Sequence, residues 1–159
     1  MSATPTQLTQ PIARVATTAW LPTLHVACAI VMGFGLALLV APFKLQPLFS
    51  LLYYGSTQRV LAFGPDALDY LAFKDGVIGA LCLGWGATLM LVVRGPFARG
   101  ETQGWSFVAA PIAIWFAAEA LSTILSGFWS NFLLIAVFAL VFAVPLAATW
   151  RGFFGHRRR

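Results

Sequence analysis

Four long apolar runs dominate the chain, at about 21–43, 76–93, 105–125 and 132–148. A helix rises 1.5 Å per residue, so a run of about 20 residues matches the roughly 30 Å hydrocarbon layer of a bilayer. Each run therefore predicts a membrane-spanning helix. Arg94-Gly95-Pro96 closes the second run, and Gly127 to Asn131 is all that separates the third from the fourth. So short a link makes the last two helices a tight antiparallel hairpin. The expected fold is an all-α membrane protein with one four-helix domain over 20–151. It is preceded by a flexible polar tail (1–19) and followed by a basic tail (152–159). A cleaved signal peptide is the rival reading of the first run. It requires a shorter apolar core followed by a small-x-small site, and Ala27-Cys28-Ala29 falls too early.

The connection between the first two spans is unusual. Leu45 to Phe73 is rich in apolar and aromatic residues yet broken by Pro47, Gly55 and Gly64-Pro65. It is too interrupted to span and too greasy to float in water. Two short interfacial helices fit it, the second beginning with Asp66 as N-cap and running on into the second span. Such a segment acts either as a lid over helix ends or as a gate for a hydrophobic ligand.

Composition removes the soluble alternatives. Of 159 residues, 60% are hydrophobic and 9% charged. A water-soluble globule carries about 25% charged residues. Soluble enzymes, disordered chains and nucleic-acid modules are thereby excluded, and the net charge of +5 acts on membrane orientation rather than on polyanions. Seven of the ten bases (Arg14, Arg94, Arg99, Arg151, Arg157, Arg158 and Arg159) fall on the side of the two tails; Lys44, Arg59 and Lys74 fall on the other. The positive-inside bias then places both termini in the cytoplasm of a bacterial-type inner (plasma) membrane. Four of the six tryptophans (Trp20, Trp105, Trp129, Trp150) stand at run ends, where amphipathic rings settle at headgroup level.

Inside the spans, two features need explanation. The first is small residues. Gly76, Ala80, Gly84 and Thr88 recur every fourth position in the second span, with Gly79 and Ala87 nearby, and Ala29 and Gly33 form a shorter stripe in the first. Such stripes let helix backbones approach closely in lipid, within one chain or between two copies. The second is Glu119. A carboxylate deep in a bilayer costs at least a few kcal/mol, which makes it a candidate functional residue. At one-turn intervals its face reads Ile112, Trp115, Phe116, Glu119, Ser122, Thr123, Ser126. Counting rise, Glu119 lies roughly 9 Å from the outer edge and His25 roughly 16 Å farther inward. Lys44, Lys74 and the hydroxyls are therefore its expected partners, rather than His25. The candidate polar pocket comprises Glu119, Ser122, Thr123, Ser126, Trp115, Asp75, Lys44 and Lys74. Asp75 has a simpler reading too, as an acid at the start of the second helix, favoured by the helix dipole. Glu119 itself is either a structural hydrogen-bonding residue or a titrating, ligand-recognising one.

No cofactor or metal is expected. His25 has no second intramembrane histidine, no Cys/His cluster has zinc-like spacing, and Cys28 and Cys82 lie too far apart in depth to pair. Gly33-Phe34-Gly35 and Gly84-Trp85-Gly86 lack the third glycine of a phosphate-binding turn. No catalytic residue is assigned. The reading favoured by the residues is a non-catalytic module that binds a hydrophobic ligand or lipid, or serves as an accessory subunit of a membrane complex. Its alternatives are a proton-coupled carrier or channel, and a membrane enzyme acting on an apolar substrate, each using Glu119. The expected partners are membrane lipid, a hydrophobic small molecule, and either a second copy of the chain or a larger membrane complex.

Overall fold

A computed structural model describes residues 9–155, with side chains from Ala19 onward. Its helices are α1 (Thr9–Val40), α2 (Pro42–Tyr54), α3 (Pro65–Val92), α4 (Thr102–Ser126) and α5 (Asn131–Phe154), and no strand occurs among the described residues. Four segments are long and apolar enough to cross a membrane: Ala19–Val40, Pro65–Phe97, Thr102–Ser126 and Asn131–Phe154. The chain is an all-helical membrane protein. α1 packs most extensively on α3 and next on α5, and α4 leans on α5. Alternating directions place the α4–α5 link and α2 at one end of the bundle, here called the hairpin end; the α3–α4 connection lies at the opposite end.

Local chemistry sets the boundaries. Pro42 and Pro65 occupy first-turn positions, where a missing N–H costs nothing. Gly127, with φ 75°, adopts the left-handed conformation that ends α4, and its N–H bonds Thr123 O. The hairpin link is thus only residues 127–130. At the other end, α3 widens into a π-helical turn, Val93–Phe97, that absorbs Gly95 and Pro96 and buries Val93 and Phe97 completely.

Three expectations are corrected. Residues 9–19, expected as part of a flexible polar tail, are helical: α1 elongates backward from its span because each added residue gains a hydrogen bond without a new nucleus. The rest of that tail and the tip of the basic C-terminal tail lie outside the described residues. Asp66 is not an N-cap. Gly64 takes that position, and Asp66 sits in the first turn of a helix that continues unbroken through Val92. The 33-residue segment Pro65–Phe97 is roughly 50 Å long at 1.5 Å per residue, about 20 Å more than the hydrocarbon layer, so a part of it carrying Asp66, Asp69 and Lys74 extends beyond.

The third correction concerns the small-residue stripe. The α1–α3 contact runs through Gly35, Gly79 and Gly86. A Cβ on Gly35 would stand 2.6 Å from Gly79 O, one on Gly79 would stand 2.5 Å from Gly35 O, and one on Gly86 would stand 2.7 Å from Met32 Cγ. Gly33, Gly76 and Gly84 have nothing within 4 Å of the same position. The contact is rotated by one residue from the fourfold-spaced stripe. Gly79 and Gly86 are seven residues apart, two turns on one face, which suits antiparallel helices crossing at a shallow angle.

Packing divides the bundle in two. Toward the π turn, Leu24, Cys28, Val31, Leu89, Val93, Phe97, Val108, Ile112, Phe142 and Phe153 make a filled core. Trp105 donates its indole N–H to Leu146 O at 3.0 Å and meets Trp150 edge-on. Toward the hairpin end the side chains do not fill the space.

Candidate functional site

The unfilled space is a cavity of about 400 Å³ walled by α1, α2, α3, α4 and α5. Aromatic rings make most of its wall. Trp115 lies 6.0 Å from Trp85 and 6.4 Å from Phe138, which lies 5.6 Å from Phe34. Toward the α2 side, Phe128 stands between Tyr53 and Tyr54 at 5.3 and 5.5 Å. These contacts pin α2 over the mouth of the bundle. Two buried polar side chains fasten it further. Gln46 Nε2 donates to Leu68 O of α3 at 3.1 Å, and Ser50 Oγ accepts from Val60 N at 3.0 Å.

Set into this apolar wall is a polar cluster centred on Asn131. Its Nδ2 donates to Thr123 Oγ1 at 2.8 Å and to Glu119 Oε1 at 3.1 Å, and its Oδ1 accepts from Tyr53 O–H at 3.5 Å. Asn131 is the first residue of α5, so the short hairpin delivers it directly against the last turns of α4. Glu119, Thr123 and Trp115 stand four residues apart on α4 and hence on one face. Asp75 faces the same cavity from α3. Its side chain is 9% exposed and its carboxylate is paired with Lys74 Nζ at 3.2 Å, while the Lys74 side chain, also in the cavity wall, is 47% exposed. Tyr53 has its hydroxyl pushed above the ordinary phenol range, first by burial, then by the negative charges of Glu119 and Asp75. One hydroxyl on α2 thus senses the carboxylates of α4 and α3.

Of the residues expected in the pocket, Glu119, Trp115, Asp75 and Lys74 line the cavity, and Thr123 supports it from behind. Three do not belong. Lys44 is exposed and away from the lining, because α1 ends at Val40 and the chain turns into α2, carrying Lys44 off the top of the first span. Ser122 is turned to the outer surface of α4. Ser126, in the last turn, spends its hydroxyl on Thr123 O at 3.3 Å. The reading of Asp75 as a helix-start acid also fails. It lies ten residues beyond Pro65, beyond the reach of the first-turn dipole. Sequence reasoning missed Asn131 and Tyr53, which carry the cluster's hydrogen bonds, and Gln46, which ties α2 to α3. The signal available for Asn131 was its position: a polar amide at the first turn of a span, across a short hairpin from Glu119.

Cys28 and Cys82 are both free; Cys28 is buried in the core, whereas Cys82 lines the cavity. Among the described residues, no three His, Cys, Asp or Glu side chains gather as a metal site. No protein-family model, curated protein or solved structure that was compared with the chain matches it.

Proposed function

We propose that this membrane protein binds a hydrophobic small molecule in the cavity at the hairpin end, without transforming it. The observation that carries the reading is the cavity itself: an aromatic-walled space with a few convergent polar groups. Its 400 Å³ falls within the roughly 300–1,000 Å³ of small-molecule sites. Empty space of this size in lipid forfeits dispersion contacts that an occupant restores. Ile78 and Phe63 line the cavity and are also exposed, at 41% and 50%, so the opening faces the apolar surface of the bundle. Entry from the bilayer suits a ligand that partitions into lipid. α2 is then an interfacial lid, held by the aromatic contacts of Tyr53 and Tyr54.

Cys82 supplies the test. Methyl methanethiosulfonate, small and membrane-permeant, should modify Cys82 several-fold faster than Cys28 in detergent-purified protein, as read by intact-mass and peptide spectrometry. A ligand carried through a mild-detergent purification should slow Cys82 alone, and stripping it should restore the rate. Leu134→Trp, which places bulk in the lining, should protect Cys82 without any ligand. If Cys28 and Cys82 react alike and no occupant affects either, the cavity is not a binding site.

The orientation proposed with this function has both termini in the cytoplasm, the cavity opening toward the opposite leaflet. Alkaline phosphatase fused after Arg159 should be inactive and the same enzyme inserted in the 55–59 loop active. The reverse pattern would turn the site to the cytoplasmic leaflet.

A further inference from the structure

Three acceptors in the cavity wall have bonding capacity to spare. Glu119 has one carboxylate oxygen bonded to Asn131 and, among the described residues, no cation within salt-bridge distance. Asp75 keeps one oxygen beyond its contact with Lys74. Gln46 is 2% exposed and its amide orientation is fixed by the bond from Nε2 to Leu68 O. Its Oε1 is therefore an acceptor, and that atom is buried without any partner. A buried polar atom left unpaired costs about 1–3 kcal/mol, so it marks a place where a bonding partner belongs. On the donor side, Asn131 Nδ2 is committed twice and Tyr53 O–H once, and Lys74 Nζ is paired with Asp75.

Resting on the reading of the cavity as a ligand site, we propose that its ligand is an apolar molecule bearing one protonated amine, held with the ammonium among Glu119, Asp75 and Gln46 Oε1. An ammonium offers donors and no acceptor, which suits these three acceptors. It also supplies the positive charge that Glu119 lacks, and charge-assisted bonds to carboxylates are roughly twice as strong as neutral ones. The walls suit it further. Tyr53, Trp85 and Trp115 present rings to the cavity, and a cation over such faces gains cation–π attraction that grows when water is excluded. An anionic head is disfavoured by the same two carboxyl groups.

The experiment uses the full chain in lipid nanodiscs and a matched pair of probes, 4-phenylbutylamine (protonated at pH 7) and 4-phenylbutanol. Each is titrated for protection of Cys82 against methyl methanethiosulfonate. The amine should protect at concentrations where the alcohol does not. Glu119→Gln should weaken amine protection by about tenfold or more, the effect of losing a charge-assisted bond, while leaving the weak protection by the alcohol unchanged. Gln46→Leu, which removes the orphan acceptor at similar volume, should weaken the amine less than Glu119→Gln does. Equal protection by amine and alcohol overturns the ammonium assignment while the cavity remains a ligand site. Amine protection that Glu119→Gln leaves intact overturns it also. If neither probe protects Cys82, the assignment fails, and the fate of the ligand-site reading is decided separately by the stripped and unstripped protein.

Discussion

Gly79→Leu should abolish the bundle, whereas Gly84→Leu, five residues along the same helix, should be tolerated. At Gly79 even a methyl group would stand 2.5 Å from Gly35 O and 2.8 Å from Leu39 N, both backbone atoms that no rotamer change can move. The helices must separate by an ångström or more, and with them goes the packing of Cys28, Met32 and Leu38 along the seam. Overpacked cores lose about 1–3 kcal/mol and sometimes more; a clash against backbone across the main helix–helix contact belongs at or above the top of that range. Lipid offers no hydrophobic force to hold the pair together once close contact is lost. Gly84 has open space where its Cβ would be, and a leucine there meets only lipid. The measurement is the thermal midpoint and monodispersity of the two variants in the same mild detergent. Equal loss at both sites would mean that α1 and α3 do not meet at Gly35 and Gly79.

That contrast also explains what was legible in the chain. Hydropathy alone identifies the four spans, because a run of about 20 apolar residues has few other uses. The number of small residues in α1 and α3 announces close packing, but not its phase. Gly76-Ala80-Gly84-Thr88 is the more regular stripe, yet it faces away from α1, and the contact uses Gly79 and Gly86, which a fourfold spacing rule passes over. Phase is decided by which residues of the partner helix can accept the approach, and Gly35 rather than Gly33 does so. Glu119 was visible because its burial is expensive. Its partner was not, since Asn131 at a helix start beside a turn is common, and only the closure of the hairpin brings it to α4. Gln46 and Tyr53 were hidden for another reason: they belong to a short helix whose position over the cavity depends on Phe128 in a different loop.

Asn131→Leu should cost the protein about 3 kcal/mol, and Glu119→Gln less than about 1, although glutamate is the residue that looks costly. Asn131 makes three hydrogen bonds, to Thr123, Glu119 and Tyr53, and Thr123 is 1% exposed, so water cannot replace what leucine removes. Leucine keeps the branched shape of asparagine at a larger volume, so the cost combines the lost bonds with some overpacking. Glutamine at position 119 keeps an oxygen where Glu119 Oε1 accepts from Asn131 Nδ2, so the cluster survives with one charge fewer. Asn131→Asp is the sharpest version of the same test. It replaces the amide that donates to Thr123 and Glu119 by a second carboxyl group facing Glu119, so both donated bonds are lost. Denaturation in mixed micelles should therefore order the proteins as wild type, then Glu119→Gln close behind, then Asn131→Leu, then Asn131→Asp. A Glu119→Gln variant as unstable as Asn131→Leu would mean that Glu119 is held as an anion by Lys74 rather than as an acceptor by Asn131, since removing one member of a buried ion pair costs about 3–5 kcal/mol. The two arrangements make opposite demands on a ligand: a glutamate held by Asn131 leaves its charge to be met by an incoming cation, and a glutamate already neutralised by lysine does not.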